Sequence, residues 1–401
     1  MTKEQEFVMR WFREYYSRTA IAGPTKFEQR EFGFMYFDKD FVRRHVGFKR
    51  PDDLRKYLVS QVPMHVYYSS ALYEIPSAPK MDQKGWLGAD LVFDLDADHI
   101  KGAETMSYAQ MLSLVKKDMI KLLDDFLFGD MGFGETDVRL VFSGGRGYHA
   151  HISDEKVLKL KSHERSEIVD YVSGTDLDLD AIFPKSVSMV KDYKTHMKAE
   201  KAVAMPAEGS GGWKGHARRT TAQLFEELRF MELEEVRARF PNLSRYKDAT
   251  VLGLQRDLFG DRGGERLGYQ LIMENNSLEY VSDRYKEALL DLVKSEVRPR
   301  AAAEVDEPVT RDIKRLIRMP SSLHGKTGMR VIEMRRDDLT DFDPLRDAFP
   351  GTFPDDPVKV HVKAPVDLLI KGQRISGDGV IEVPTFAAMF LVLRMKAAMV
   401  P

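Results

Sequence analysis

The stretch GADLVFDLD at residues 88 to 96, read together with VRLVFSGGRGYHAHIS at 138 to 153, decides how this chain folds. The first run is apolar and then alternating, which suits a strand buried on at least one face and carrying carboxylates at its end. Asp94 and Asp96 stand two apart, and in a strand residues i and i+2 project from the same face. Two carboxylates held side by side repel unless something neutralises them, and a hard divalent ion such as Mg²⁺, which prefers oxygen ligands, does so. A solvated strand end in a charged protein is the bland alternative. Residues 104 to 128 repeat Met, Leu and Ile at helical spacing, so a helix should follow the strand.

The second run reads as two strands broken by a glycine turn. Gly144, Gly145 and Gly147 would let the backbone approach a ligand with its N–H groups turned inward, while Ser143, Arg146 and His149 supply donors for phosphate oxygens. An ordinary glycine-rich hairpin is the other reading. The preceding strand and helix favour the cradle, because a βαβ-like unit would bring both strand ends together. His149 and His151 share a face, and His149, nearer the turn, is assigned to the ligand side. Lone histidines such as His65 and His163 read as hydrogen-bonded structural or surface residues.

Downstream, Asp306 precedes RDIKRLIRMPSSLHGKTGMR. Between residues 311 and 336, eight basic side chains (Arg311, Lys314, Arg315, Arg318, Lys326, Arg330, Arg335, Arg336) face only Asp312 and Glu333, a local excess of six positive charges. A polyanion would be drawn to it. Leu316 and Ile317 make this a structured element, which Pro320 ends. The repeated DxD in DLDLD (176 to 180) has no apolar strand leading in and reads as a capping and loop segment.

Working outward, Phe7, Val8, Trp11, Phe12 and Tyr15 predict an amphipathic opening helix, and residues 30 to 37 and 41 to 48 a strand pair. Residues 154 to 298, with charged helical stretches, read as a helical insertion in which EGSGGWKGHARR (208 to 219) is a mobile loop. Residues 357 to 383 carry two short alternating runs, and 385 to 397 a final apolar helix. The expected organisation is therefore a core in two pieces, residues 1 to 153 and 299 to 401, around an insertion at 154 to 298.

The 401 residues balance 61 Lys and Arg against 63 Asp and Glu, for a formal net charge of -2, and contain no cysteine. That excludes a disulfide framework, a cysteine nucleophile and an iron–sulfur or cysteine-ligated zinc site. A charged start and the lack of any run of roughly 20 apolar residues lead to the expectation of a soluble, cytoplasmic protein with no membrane partner.

Taken in order, REFGF, LVFDLDAD, FSGGRGYHAHI, VDEPVTRDIKRLIRMPSSLHGKTG and VPTFAAMFLVLR resemble the catalytic small subunit of archaeal and eukaryotic-type DNA primase over nearly the whole chain. The resemblance implies an α/β fold, a primase-type catalytic core with a mixed β-sheet cradle and a mainly helical inserted subdomain. It implies a nucleotidyltransferase that makes short primers, of RNA or also of DNA, from nucleoside triphosphates on a single-stranded DNA template, beside a primase large subunit in a heterodimer. By the same resemblance Asp94, Asp96 and Asp306 are the catalytic metal-binding carboxylates for Mg²⁺ or Mn²⁺. Ser143, Arg146, His149, Arg318 and His324 bind the nucleotide, and Glu31 and Arg44 are secondary candidates. Two departures stand out. This chain has Gly145 then Arg146 where eukaryotic members have two arginines, and without cysteine it lacks the zinc knuckle many relatives carry. An end-joining repair polymerase of the same superfamily, a two-metal nuclease and a non-catalytic nucleic-acid-binding subunit are the competing readings.

Overall fold

In the computed structural model, which describes residues 2–99, 102, 105–191, 197–260 and 266–400, Thr2 caps the opening helix Lys3–Arg18. The Thr2 hydroxyl accepts from the Gln5 N–H (3.2 Å) while the Gln5 side chain takes the Thr2 N–H (3.0 Å), so two orphan donors are satisfied reciprocally. Val8, Phe12, Tyr15 and Tyr16 form its buried stripe. Its two tyrosines reach the distant basic segment: the Tyr15 hydroxyl donates to the Ser321 carbonyl (2.9 Å) and that of Tyr16 accepts from the Leu323 N–H (3.2 Å).

The chain forms two compact units, residues 1–124, 133–169 and 304–401, and residues 125–132 and 170–303. The first holds two four-stranded antiparallel sheets. One runs in the order Leu316–Arg318, His65–Ser69, Phe32–Met35, Val42–Val46, and the other Ile332–Met334, Val138–Phe142, Gly147–Ile152, Leu91–Asp96. The expected strand–helix–strand order is present, with the helix Tyr108–Lys121 between Leu91–Asp96 and Val138–Phe142. Those two strands are not neighbours, however. Gly147–Ile152 returns from the glycine turn and lies between them, so the βαβ unit is split by its own hairpin.

A buried ion pair joins the sheets. Arg30 bonds Asp90 (2.9 Å) and donates to the carbonyls of Ser69 (3.0 Å) and Ser70 (2.6 Å), and the Asp90 N–H donates to the Ser70 carbonyl (2.9 Å). Such a pair is held by its hydrogen bonds, and removing one partner would strand a charge at a cost of about 3 to 5 kcal/mol. Near the C-terminus the long hairpin Pro357–Ile370 and Gln373–Pro384 leads into the helix Thr385–Leu393, whose residues 385 to 392 are all buried, as an all-apolar helix must be.

The second unit packs the helices Gly212–Leu228 and Asp283–Ala301 together and carries one hairpin, Lys185–Lys191 with Met197–Val203. Asp178 caps the helix Leu179–Ile182 by accepting from the N–H groups of Asp180 and Ala181 (both 3.0 Å), which is the capping role read for DLDLD. The expected loop at 208 to 219 is corrected: from Gly212 onward it is helix. Trp213 packs on Phe126 (5.9 Å between ring centroids), the Trp213 N–H donates to the Tyr171 carbonyl (2.8 Å), and His216 bonds Asp130 (2.7 Å). Those anchors outweigh the flexibility that four glycines confer. Among the described residues no helix is long and apolar enough to cross a membrane.

Candidate active site

The strand Leu91–Asp96 sits at the edge of its sheet and obeys the period of two: Phe93 and Leu95 are buried in the core, while Asp94 and Asp96 keep partial exposure on the opposite face. Register places Asp94 across from His149 and Asp96 across from Gly147. His149 Nε2 lies 3.3 Å from Asp94 Oδ1. A side chain at 147 would put its Cβ 2.6 Å from the Leu95 carbonyl oxygen, so glycine there lets the two strands close around the carboxylates. His151 shares the face but lies deeper, fully buried with Nδ1 3.4 Å from the Tyr68 hydroxyl and its ring stacked on Tyr68, so only His149 reaches the cavity.

Asp306 arrives from more than 200 residues downstream. Its N–H donates to the Asp94 carbonyl (2.9 Å), and its own carbonyl accepts from Val309 and Thr310 at the start of the short helix Glu307–Arg311. Burial raises the Asp94 carboxyl above the usual carboxylate range; His149 opposes this, and the neighbouring charges of Asp96 and Asp306 add to it. The donor set suits a divalent cation: oxygen ligands gathered at a partly buried spot where like charges repel until a cation joins them. Among the described residues no three histidine or carboxylate side chains converge closely enough to enclose an ion unaided.

The turn His324–Gly328 borders the same cavity. It is drawn tight by Gly328 N–H (2.8 Å) and Thr327 N–H (3.1 Å) donating to the His324 carbonyl, and is fastened to the glycine turn by Thr327 Oγ1, which donates to the Gly144 carbonyl (2.5 Å). Gly144 adopts φ +76°, and a Cβ there would lie 2.7 Å from that of His324. The His324 imidazole is buried, which together with Arg318 and the neighbouring cations holds it far below the usual histidine range and therefore neutral. Its Nδ1 accepts from the Lys326 N–H (3.3 Å), leaving Nε2 to carry the proton beside Gly145.

Arg318 ends the strand Leu316–Arg318, and its guanidinium donates to His65 Nδ1 (2.6 Å) and lies over the Tyr67 ring. The Gly325 N–H donates to the same nitrogen (3.1 Å). Two obligate donors on Nδ1 fix His65 as the Nε2–H tautomer, and burial pushes its pKa down to about 2. His65, read from sequence as a bland residue, thus aims an arginine and anchors a turn.

The glycine turn differs in detail from the expected cradle. Ser143 Oγ accepts from the N–H groups of Gly145 (3.3 Å) and Gly147 (3.2 Å), so those two amides are spent on the turn itself, and the hydroxyl proton is what Ser143 offers outward. Arg146 lies against Asp98, with Asp96 at 4.0 Å. Asp94, Asp96, Ser143, Arg146, His149, Arg318 and His324 all line one cavity of about 910 Å³. Asp306 adjoins it through Asp94.

Glu31 and Arg44 lie elsewhere. The fully buried Glu31 carboxylate holds Arg44 through two 3.1 Å bonds and accepts the His45 N–H (2.8 Å), with Lys84 at 3.5 Å. Arg44 also donates to the Lys314 carbonyl (3.2 Å), so the pair braces the approach to the strand that carries Arg318 and does not line the cavity. The sequence assigns no individual site role to Tyr67, Asp98, Tyr108 or Arg394, marks Lys326 only as part of the basic run, and leaves His65 as a structural or surface residue.

Comparison with known proteins gives these positions a context. The family model described as DNA primase small subunit matches residues 93–336. The chain is 42% identical over 402 residues to the DNA primase small subunit PriS of Methanococcoides burtonii, covering 98% of each chain. It is 40% identical to that of Methanosarcina acetivorans, covering 97% of this chain and 95% of the relative. Against that of Thermoplasma volcanium the identity is 36%, with coverage of 96% and 95%.

Proposed function

The chain belongs to the DNA primase small-subunit family and is a primase catalytic subunit, and from that premise we propose that the cavity between the aspartate strand and the His324 turn is where it joins nucleotides into primers. The observation that carries this reading is the meeting, in one cavity, of the paired carboxylates Asp94 and Asp96 with Arg146, Arg318, Lys326 and the neutral imidazole of His324.

The family's dependence on a divalent metal fits the carboxylates Asp94, Asp96 and Asp306, which would hold Mg²⁺ or Mn²⁺. When bound, the ion supplies charge neutralisation at the reacting phosphate and lowers the pKa of the attacking 3′-hydroxyl. The remaining work belongs to side chains. His149 fixes the orientation of Asp94 from across the ladder. Arg318, held by His65 and Tyr67, presents a guanidinium to phosphate oxygens at a fixed angle. His324 offers its Nε2 proton and Ser143 its hydroxyl proton without adding charge. Arg146 exchanges its ion pair with Asp98 for the triphosphate. Donors fixed in place before substrate arrives are worth more than mobile ones, because no reorganisation is needed as pyrophosphate charge develops.

The product on this reading is a short RNA primer copied from single-stranded DNA, with DNA primers as a second possibility tested by supplying each nucleotide set. A large subunit is the proposed partner in a cytoplasmic heterodimer. A repair polymerase and a nuclease are disfavoured by the family match. Asp94→Asn and Asp306→Asn, each checked for folding, should abolish primer synthesis on a single-stranded template. Near-wild-type synthesis by either would remove the metal assignment.

A further inference from the structure

Arg394 lines the same cavity, yet it comes from the far end of the chain and no charge pattern in the sequence marks it. It follows the last residue of the helix Thr385–Leu393 and is half-buried. A cation beside a helix C-terminus is stabilised there by the helix dipole. That does not explain where its guanidinium goes. It lies 4.4 Å from the centroid of the Tyr108 ring and 5.6 Å from that of Phe390, and no carboxylate among the described residues pairs with it. Phe390 packs edge-on against Tyr108, and the Tyr108 hydroxyl donates to the Gly145 carbonyl (2.5 Å). Guanidinium, ring and glycine turn therefore form one column, with an unpaired positive charge at its open end.

Hydrogen bonds and ring contacts place the charged groups along the cavity. Asp94 faces His149 (3.3 Å) and its carbonyl accepts the Asp306 N–H (2.9 Å), which marks the reacting end. The second end is the glycine turn itself, where Arg146 follows Gly145 and Tyr108, bonded to the Gly145 carbonyl, carries Arg394. A triphosphate laid with its α-phosphate against the carboxylates and its chain along the glycine turn has its terminal phosphate at the second end.

We propose that Arg394 is a further phosphate-binding residue of this cavity and takes the terminal phosphate of the incoming nucleoside triphosphate. The assignment rests on the cavity being a nucleotide site. It places a second guanidinium beside Arg146 from the C-terminal helix, with Tyr108 as its rest.

Binding of ATP and ADP, each with Mg²⁺ and without template, separates this role from a structural one. Wild-type protein should prefer ATP. Arg394→Ala should weaken ATP by about tenfold or more, as expected for loss of one charge-assisted hydrogen bond, and leave ADP within twofold. Arg394→Lys should recover part of the preference, and Arg394→Gln, which keeps the packing on Tyr108, should behave like Ala. Equal weakening of both nucleotides, or of neither, would overturn the assignment. So would weakened binding of a single-stranded oligonucleotide with ATP affinity unchanged, since the contact would then be to DNA. Wild-type protein that binds neither nucleotide would instead strike the reading of the cavity itself, and that result is visible before any variant is made.

Discussion

Replacing His65 by asparagine tests how the site is held together. Asparagine places its side-chain oxygen near the position of imidazole Nδ1, so it can accept from Arg318 and from the Gly325 N–H, but it does not titrate. The histidine's folded-state pKa of about 2 lies below its unfolded value near 6.5, so the unfolded chain takes up a proton that the folded chain refuses. Stability from this group is therefore complete above about pH 6.5 and is lost as pH falls towards 2. By linkage the loss from His65 alone is roughly 2 kcal/mol at pH 5 and close to nothing at pH 7. His151 and His324 are depressed in the same direction, but both are present in either protein and cancel in the comparison. Urea unfolding of wild type and His65→Asn at pH 7 and pH 5 isolates the quantity: wild type should lose about 2 kcal/mol more than the variant between the two. Parallel losses would refute the claim that His65 is held neutral by Arg318 and Gly325, and with it the reason given for the angle at which Arg318 points.

Two further outcomes follow from the geometry. Gly144→Ala should cost roughly 2 kcal/mol or more and weaken nucleotide binding, because its Cβ meets that of His324 at 2.7 Å; Gly209→Ala, at the same φ of +76° but with nothing within 4 Å, should pay only the backbone part, and thermal melting of the two compares them directly. His216→Ala takes the 2.7 Å partner from the part-buried Asp130, which keeps the Tyr171 hydroxyl (2.9 Å) and the Gly212 N–H (3.2 Å), and should cost about 1 kcal/mol; amide exchange should then rise across residues 212 to 220 and stay unchanged in the strand Leu91–Asp96.

What could be read in advance was whatever local period or turn chemistry determines. Alternation alone put Asp94 and Asp96 on one face, and the helical spacing of Phe7, Val8, Trp11, Phe12 and Tyr15 announced the first helix, whose Thr2 cap the structure added. Strand order is not local, which is why the glycine hairpin's insertion between Leu91–Asp96 and Val138–Phe142 was missed. The segment at 208 to 219 failed for a related reason: glycine content reports the freedom of a chain with nothing to dock against, whereas Trp213 and His216 dock on Phe126 and Asp130, more than 80 residues earlier. Glu31 and Arg44 were chosen by resemblance and not by physics. A fully buried carboxylate with Arg44, Lys84 and a backbone N–H around it is an organising group for its sheet.

The net charge of -2 conceals a separation that explains why two histidines stand among the cations. Arg315, Arg318 and Lys326 line the same cavity as Arg146 and Arg394, while its carboxylates are Asp94, Asp96 and Asp98, in and just beyond the strand Leu91–Asp96, and Glu4 of the opening helix. A sixth or seventh positive charge in that space would raise the repulsion that the fold must tolerate. Neutral imidazoles avoid this: His324 adds a donor, and His65 adds an acceptor that orients Arg318, neither with a charge at neutral pH. The repulsion that remains among the arginines and Lys326 is relieved by a polyanion entering with its cation. The stabilisation then falls on the bound phosphates and not on the resting protein, which is the arrangement phosphoryl transfer requires.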